Sequence, residues 1–446
     1  MLSGPITKGL LSLTMPIMVM TVVQNLFSVV DMTLLGNWVG DNAVGAVGAC
    51  SSLITLCTCL LIGIASGANI VVAKRMGERN NDQMDKAVGT AMIISLLGGL
   101  LLMVFGLLCA RMLLQLTNCP SDLIDSATLY FRLYFIGVPF LLLYNFSSSI
   151  LRSIGDTKRP MYFLLFSSTL KVVLNIVFIK LFHMDVDGVG YATILSNIVS
   201  SGLCVLAMRR SILNFRFREM QFDGKEMKAI FHVGIPTGLQ SAGYALANVV
   251  ITTAVNGFGP DATTGISIAN QIDGVLYYIC VAPSLAVSPY MAQNIGAHNI
   301  HRAKKALASS IWITVAIGGG LGMLASVFSR ELASIMSSSP AVITYAQQKT
   351  ALVSATYFIC GINEVMSGAL RGVGKPIVPT IATFIFMCLL RFVWVYTIFP
   401  LVPNLTFLYL VWPIGWILSI GLLLAVYFPT ISKLQKQYGL QKLPDK

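Results

Sequence analysis

The sequence predicts an all-α polytopic membrane protein, with twelve transmembrane helices in two six-helix bundles related by a parallel pseudo-two-fold repeat. Three observations carry that expectation. The 446 residues are 56% hydrophobic and 11% charged, with a mean hydropathy of +0.78, where a soluble domain carries roughly 25% charged residues. Apolar runs of spanning length follow one another along the whole chain, and the second half repeats the punctuation of the first. A span takes about 20 to 25 residues, so twelve use up the length and leave no stretch for a soluble catalytic or receptor domain.

The apolar runs fall at 9–34, 44–73, 87–109, 127–150, 161–183, 189–208, 229–256, 264–290, 304–328, 343–369, 377–399 and 407–431, bounded by Gly, Pro and charge clusters. The first is too long for a signal-peptide core and no small-residue cleavage site follows it, so it reads as a retained span. Basic residues sort to one side: Lys8; Lys74, Arg75, Arg79 and Lys86; Arg152, Lys158 and Arg159; Arg209, Arg210, Arg216, Arg218, Lys225 and Lys228; Arg302, Lys304 and Lys305; Arg371 and Lys375; and Lys433, Lys436, Lys442 and Lys446. The opposite side has Arg111, Arg132, Lys180, Arg330 and Lys349. The positive-inside rule then makes both termini cytoplasmic in a multi-pass protein of the cell (inner) membrane. The net charge of +12 follows from topology, and no nucleic-acid partner is expected.

Chemistry-bearing motifs are sparse. The nine cysteines show no CxxC spacing and read as small apolar side chains. His298 and His301 stand without an acidic or thiol partner nearby, so no metal site is expected. No GxSxG, P-loop or HExxH pattern is present, so the protein reads as no enzyme, with no cofactor beyond a coupling H+ or Na+.

The repeat is more informative. Leu151-Arg152-Ser153-Ile154-Gly155 matches Leu370-Arg371-Gly372-Val373-Gly374, and Gly77, Asn80 and Lys86 match Gly296, Asn299 and Lys305, all at an offset of 219. Lys8, Pro16, Leu170 and Lys171 match Lys228, Pro236, Leu390 and Arg391 at 220. Six spans per half make the repeat parallel, which divides the chain into an N-terminal lobe at 1–208, a cytoplasmic linker at 209–228 and a C-terminal lobe at 229–446.

With Pro16 through Asp31-Met32-Thr33, Leu151 through Pro160, Leu370 through Gly374 and Trp412-Pro413-Ile414-Gly415-Trp416, the whole chain resembles the multidrug and toxic compound extrusion (MATE) family. The resemblance implies two six-helix bundles and cation-driven export of cationic or amphipathic organic compounds. It also implies that Asp31 is the coupling carboxylate. Relatives with a sodium site add two polar residues four apart on the fifth helix and a Thr on the sixth. Asn175 and Thr193 match, but the earlier fifth-helix position is Lys171. An ammonium one turn from Asn175 stands where sodium would sit, so Lys171 is expected to pair with Asp31 and to favour proton coupling over sodium.

Buried charge marks the other candidates, because an ionised group at mid-bilayer costs about 2.5 to 3.5 kcal/mol on insertion scales. Asp273, Glu364 and Arg391 lie inside spans of the second half. Glu364, with Asn363 beside it, is expected to offer a negative site for a cationic substrate or a second proton, and to pair with Arg391. Where some relatives carry a seventh-helix carboxylate, this chain has Gln240 and Tyr244. The amides Gln24, Asn145, Asn248, Asn270 and Gln271 are candidate cavity groups, although such amides also bond between helices. The 20 Met and 23 Phe suit an adaptable cavity wall.

The expected protein is thus a monomeric antiporter exporting small organic cations by alternating access. A lipid-linked oligosaccharide flippase of the same superfamily and a passive channel or carrier are the alternatives. The flippase is set back by an interior of two bases against about three acids.

Overall fold

In the computed structural model, which describes residues 1–117, 119–213 and 215–438, the chain is helical throughout, and no strand occurs among the described residues. Lys442 and Lys446 lie outside the described residues. The helices are α1 (Ile6–Trp38), α2 (Asp41–Gly77), α3 (Asn81–Leu116), α4 (Ile124–Ser153), α5 (Lys158–Lys180), α6 (Val186–Arg209), α7 (Gly224–Asn256), α8 (Pro260–Gly296) and α9 (Ile300–Val327). Then follow α10 (Ser329–Met336), α11 (Pro340–Ala355), α12 (Tyr357–Gly372), α13 (Ile377–Thr383), α14 (Leu390–Val393), α15 (Leu405–Tyr409) and α16 (Val411–Tyr438). With α11 and α12 counted as one broken pass, and residues 377–401 as another, these helices make twelve membrane passes. Ten of the helical stretches are long and apolar enough to cross a membrane by length and composition alone.

Three passes differ from the uninterrupted helices expected. The run at 343–369 breaks at Thr356, whose amide bonds Val353 three residues back at 3.1 Å while its hydroxyl also donates to the Val353 carbonyl at 2.9 Å. Residues 377–401 alternate, with π-helical turns at Phe384–Leu389 and Trp394–Ile398 on either side of the short α14. The last pass opens with α15, which Asn404 caps by accepting from the Thr406 amide at 2.8 Å.

Packing divides the chain into two units, one of Val19–Gly238 and one of Met1–Met18 together with the chain from Leu239 onward. In the first unit α4 is the central helix, packed by α2, α3 and α6 around buried Phe131, Phe135, Phe146 and Leu142. In the second, α8 packs against α9, α11 and α12. There Leu10, Leu13 and Ile17 of α1 pack with Ala282, Ala286 and Tyr290 of α8. Arg302 holds the first residues to this unit, donating to the carbonyls of Met1, Ser3 and Gly4.

The repeat is written into the backbone. Gly155 and Gly374, which follow the paired Leu-Arg motifs, both turn at positive φ, 94° and 85°, a region open to glycine. Arg79 and His298, at φ 54° and 57°, each precede an asparagine that caps the next helix.

Candidate functional site

In the Val19–Gly238 unit, the late part of α1 and the middle of α5 bring an acid and a base together. Lys171 donates to Oδ2 of Asp31 at 2.6 Å, and Asn175, one turn further along α5, donates to Oδ1 at 2.7 Å. Both carboxylate oxygens are therefore engaged, and the expected Asp31–Lys171 pair is present. The side chains remain 14% and 23% exposed, so solvent or an ion can reach the pair without unfolding. A bare cation bound at Asp31 would have to displace the ammonium, whereas a proton needs only to neutralise the carboxylate and release it. Thr193 does not join them: its hydroxyl donates to the Val189 carbonyl of its own helix at 2.8 Å. Asn145 likewise spends its amide on the Leu141 carbonyl at 2.8 Å, and Gln24 is exposed on α1.

Among its described residues the second unit carries three buried bases and two buried acids in a different arrangement. Asp273 of α8 pairs with Lys349 of α11 at 2.9 Å, their side chains 9% and 3% exposed. Lys349 also meets Asn270, and its ammonium lies 5.4 Å from the centre of the Trp412 ring. Lys349 does not sit on the outward connection that the charge sorting gave it. Pro340 begins α11, so Lys349 is about 13 Å along that helix at 1.5 Å per residue, which explains the correction.

Glu364 and Arg391 do not pair with each other, contrary to expectation. Glu364 accepts from the Tyr244 hydroxyl at 2.7 Å. Asn363 donates to the same phenol oxygen at 3.5 Å and accepts from Ser419 at 2.6 Å. The backbone carbonyl of Glu364 accepts from Ser284 at 2.7 Å, and Ser284 in turn links it to Arg371, which the connection sorting placed outside the spans. Arg371 is buried and donates to Gln240 at 2.9 Å and Ser284 at 3.2 Å. Arg391 donates instead to the Asn248 side chain at 2.8 Å and stacks 5.0 Å from the Trp412 ring centre. Gln271 is exposed on α8 and joins none of these.

Lys349 and Arg371 change the interior balance. Among the described residues the buried bases Lys349, Arg371 and Arg391 stand against the buried acids Glu226, Asp273 and Glu364, and the part-buried Asp31–Lys171 pair adds one of each, an even balance rather than two bases against three acids. Charge sorting by connection overlooked both, because it gave Lys349 to the connection before its helix and because Arg371 lies in the last turn of α12. The helix-starting Pro340 was the available signal for Lys349. For Arg371 there was none, since its partners Gln240 and Ser284 are more than 80 positions away.

The sequence profile of the MatE family matches residues 16–177 and again 236–397, two matches 220 positions apart that together cover more than half the chain. The chain is 27% identical to "Probable multidrug resistance protein YoeA" of Bacillus subtilis over 82% of this chain and 81% of that one. It is 24% identical to "FAD transporter" of Shewanella oneidensis, covering 84% of each. Its fold superposes with a TM-score of 0.90 and 21% identity, over 97% of both chains, on a solved structure described as the outward-facing conformation of a multidrug resistance MATE family transporter of the MOP superfamily.

Proposed function

The chain belongs to the MatE family, and from that premise we propose that it is an antiporter that exports organic cations and amphipathic drugs by alternating access, coupled to protons in preference to sodium. One observation carries the coupling assignment: the Asp31 carboxylate is held by the Lys171 ammonium at 2.6 Å and by Asn175 at 2.7 Å. A metal ion arriving at a carboxylate clamped by an internal cation meets the like charge of the ammonium, whereas protonation discharges the carboxylate and breaks the pair. That gives a two-state element at the lobe that binding of a proton biases. Substrate binding that favours the other state completes the exchange. The proposed setting is the inner membrane, with both termini cytoplasmic and the protein acting as a monomer.

Vesicles containing the full-length protein and a fluorescent organic cation test this. An imposed pH gradient is expected to drive transport in the wild type and to fail in Asp31→Asn, with an imposed sodium gradient at constant pH driving little. Transport driven equally by sodium, or an undiminished Asp31→Asn rate under the pH gradient, sinks the coupling assignment.

A second reading is export of compounds bearing negative charge. One relative is named for FAD, and Arg391 is a buried base whose bonded partner is an amide, not a carboxylate.

A further inference from the structure

Arg391 is 3% exposed, and a buried charge is disfavoured unless paired. Among the described residues it nevertheless has no carboxylate partner. Its one hydrogen bond to a side chain goes to the neutral oxygen of Asn248, its Nε finds no acceptor, and the indole of Trp412 stands beside the guanidinium.

The repeat explains what is missing. Arg391 and Lys171 are 220 positions apart and equivalent, and so are Ile251 and Asp31. The first half supplies the carboxylate that its base needs. The second half keeps the base and puts isoleucine where the acid would be.

Two further observations point to a ligand as the absent partner. The turn that holds Arg391 lies between two π-helical stretches, a rare backbone frequent at functional sites. Asn248, the amide that occupies the guanidinium, is exposed on α7, so it can be displaced from outside. Glu364 lies close by, since Tyr244, which bonds Glu364, and Asn248, which bonds Arg391, stand one turn apart on one face of α7. An acid and a base held near each other but unpaired are the complement of a zwitterion.

We infer that Arg391 is a substrate-recognition residue that takes the carboxylate of a zwitterionic organic substrate, displacing Asn248, while Glu364 receives the cationic end. This rests on the export reading above and specifies the substrate that its second unit selects.

Rhodamine B and its ethyl ester test it, because they share one cationic ring system and differ in a free carboxylate. Fluorescence polarisation on the full-length protein in nanodiscs is expected to show the acid bound about tenfold or more tighter than the ester, as a charge-assisted hydrogen bond allows. In Arg391→Gln that ratio falls to about one. Asn248→Asp, which keeps the shape of the side chain and gives Arg391 an internal carboxylate, is also expected to bring the ratio to about one, and it guards against misfolding of the arginine variant. Equal binding of acid and ester by the wild type, or an acid preference that survives both variants, overturns the inference while leaving the export reading intact. Binding of neither dye overturns both.

Discussion

Lys171 and Arg391 hold the same place in the two halves of the chain, yet one is neutralised from within and the other is not. Lys171 has Asp31 at 2.6 Å; Arg391 has an amide at 2.8 Å. The second unit does contain an acid–base pair, Asp273–Lys349, but it lies elsewhere and is more deeply enclosed, 9% and 3% exposed against 14% and 23%. The difference separates two uses of buried charge that composition alone merges. A pair that solvent can reach suits the proposed coupling role, whereas an enclosed pair suits holding helices in register. Gene-scale repetition thus preserved the scaffold and the position of a base while the acids moved.

The largest expected effect tests that division. Asp273→Asn leaves the Lys349 ammonium enclosed without a counter-charge, which costs about 3 to 5 kcal/mol, and thermal unfolding in detergent should show a clear loss. Asp273→Leu combined with Lys349→Met should recover most of it, because removing both charges removes the desolvation cost. Asp31→Asn should lower stability less, since its pair is partly solvated. If Asp31→Asn proves as destabilising as Asp273→Asn, the two pairs do the same job and the comparison breaks.

Next in size is the effect of Lys171→Asn on coupling. It leaves Asn175 on Asp31 and replaces the ammonium with an amide of the kind sodium-binding relatives carry. Vesicle export driven by a sodium gradient should rise severalfold over wild type, with a matching loss of dependence on the pH gradient. Unchanged dependence on both ions would leave Lys171 a structural partner only.

The same residues show how much could be read in advance. Asp31 and Asn175 were legible through the family resemblance, and Lys171 because it shares a helical face with Asn175 and a buried base calls for an acid. Lys349 was not, since hydrophobic periodicity places helix ends only to within a few residues and its partner lies on another helix 76 positions away. Glu364 was recognised as a buried acid but matched to the wrong neighbour. Charge cost says that a partner exists; only packing says that it is the Tyr244 hydroxyl. The π-helical turns around Arg391 leave no periodic mark, because they are an accommodation to neighbouring helices.

Glu364→Gln probes the second unit with a smaller change. Gln retains an acceptor for Tyr244, so the fold should hold while the negative charge is lost. The apparent KM for a cationic dye is expected to rise by up to about tenfold, the difference between a charge-assisted and a neutral contact. An unchanged KM would assign Glu364 to the Arg371 network alone.

The smallest effect concerns the scaffold, where the halves should behave alike. Asn80 caps α3 by accepting from the Gln83 amide at 3.0 Å, and Asn299 caps α9 by accepting from the Arg302 amide at 3.0 Å. Each follows a residue at positive φ. Asn80→Ala and Asn299→Ala should each cost about 1 kcal/mol, read as faster hydrogen exchange in the first turn of α3 or α9. The two starts differ in one respect: Arg302 also clasps the first residues of the chain. Equal losses would mean that the cap acts locally and that the halves diverge only in their charged groups. A distinctly larger loss at α9 would mean that the clasp depends on the cap, and that the asymmetry between the halves extends from the buried charges into the scaffold itself.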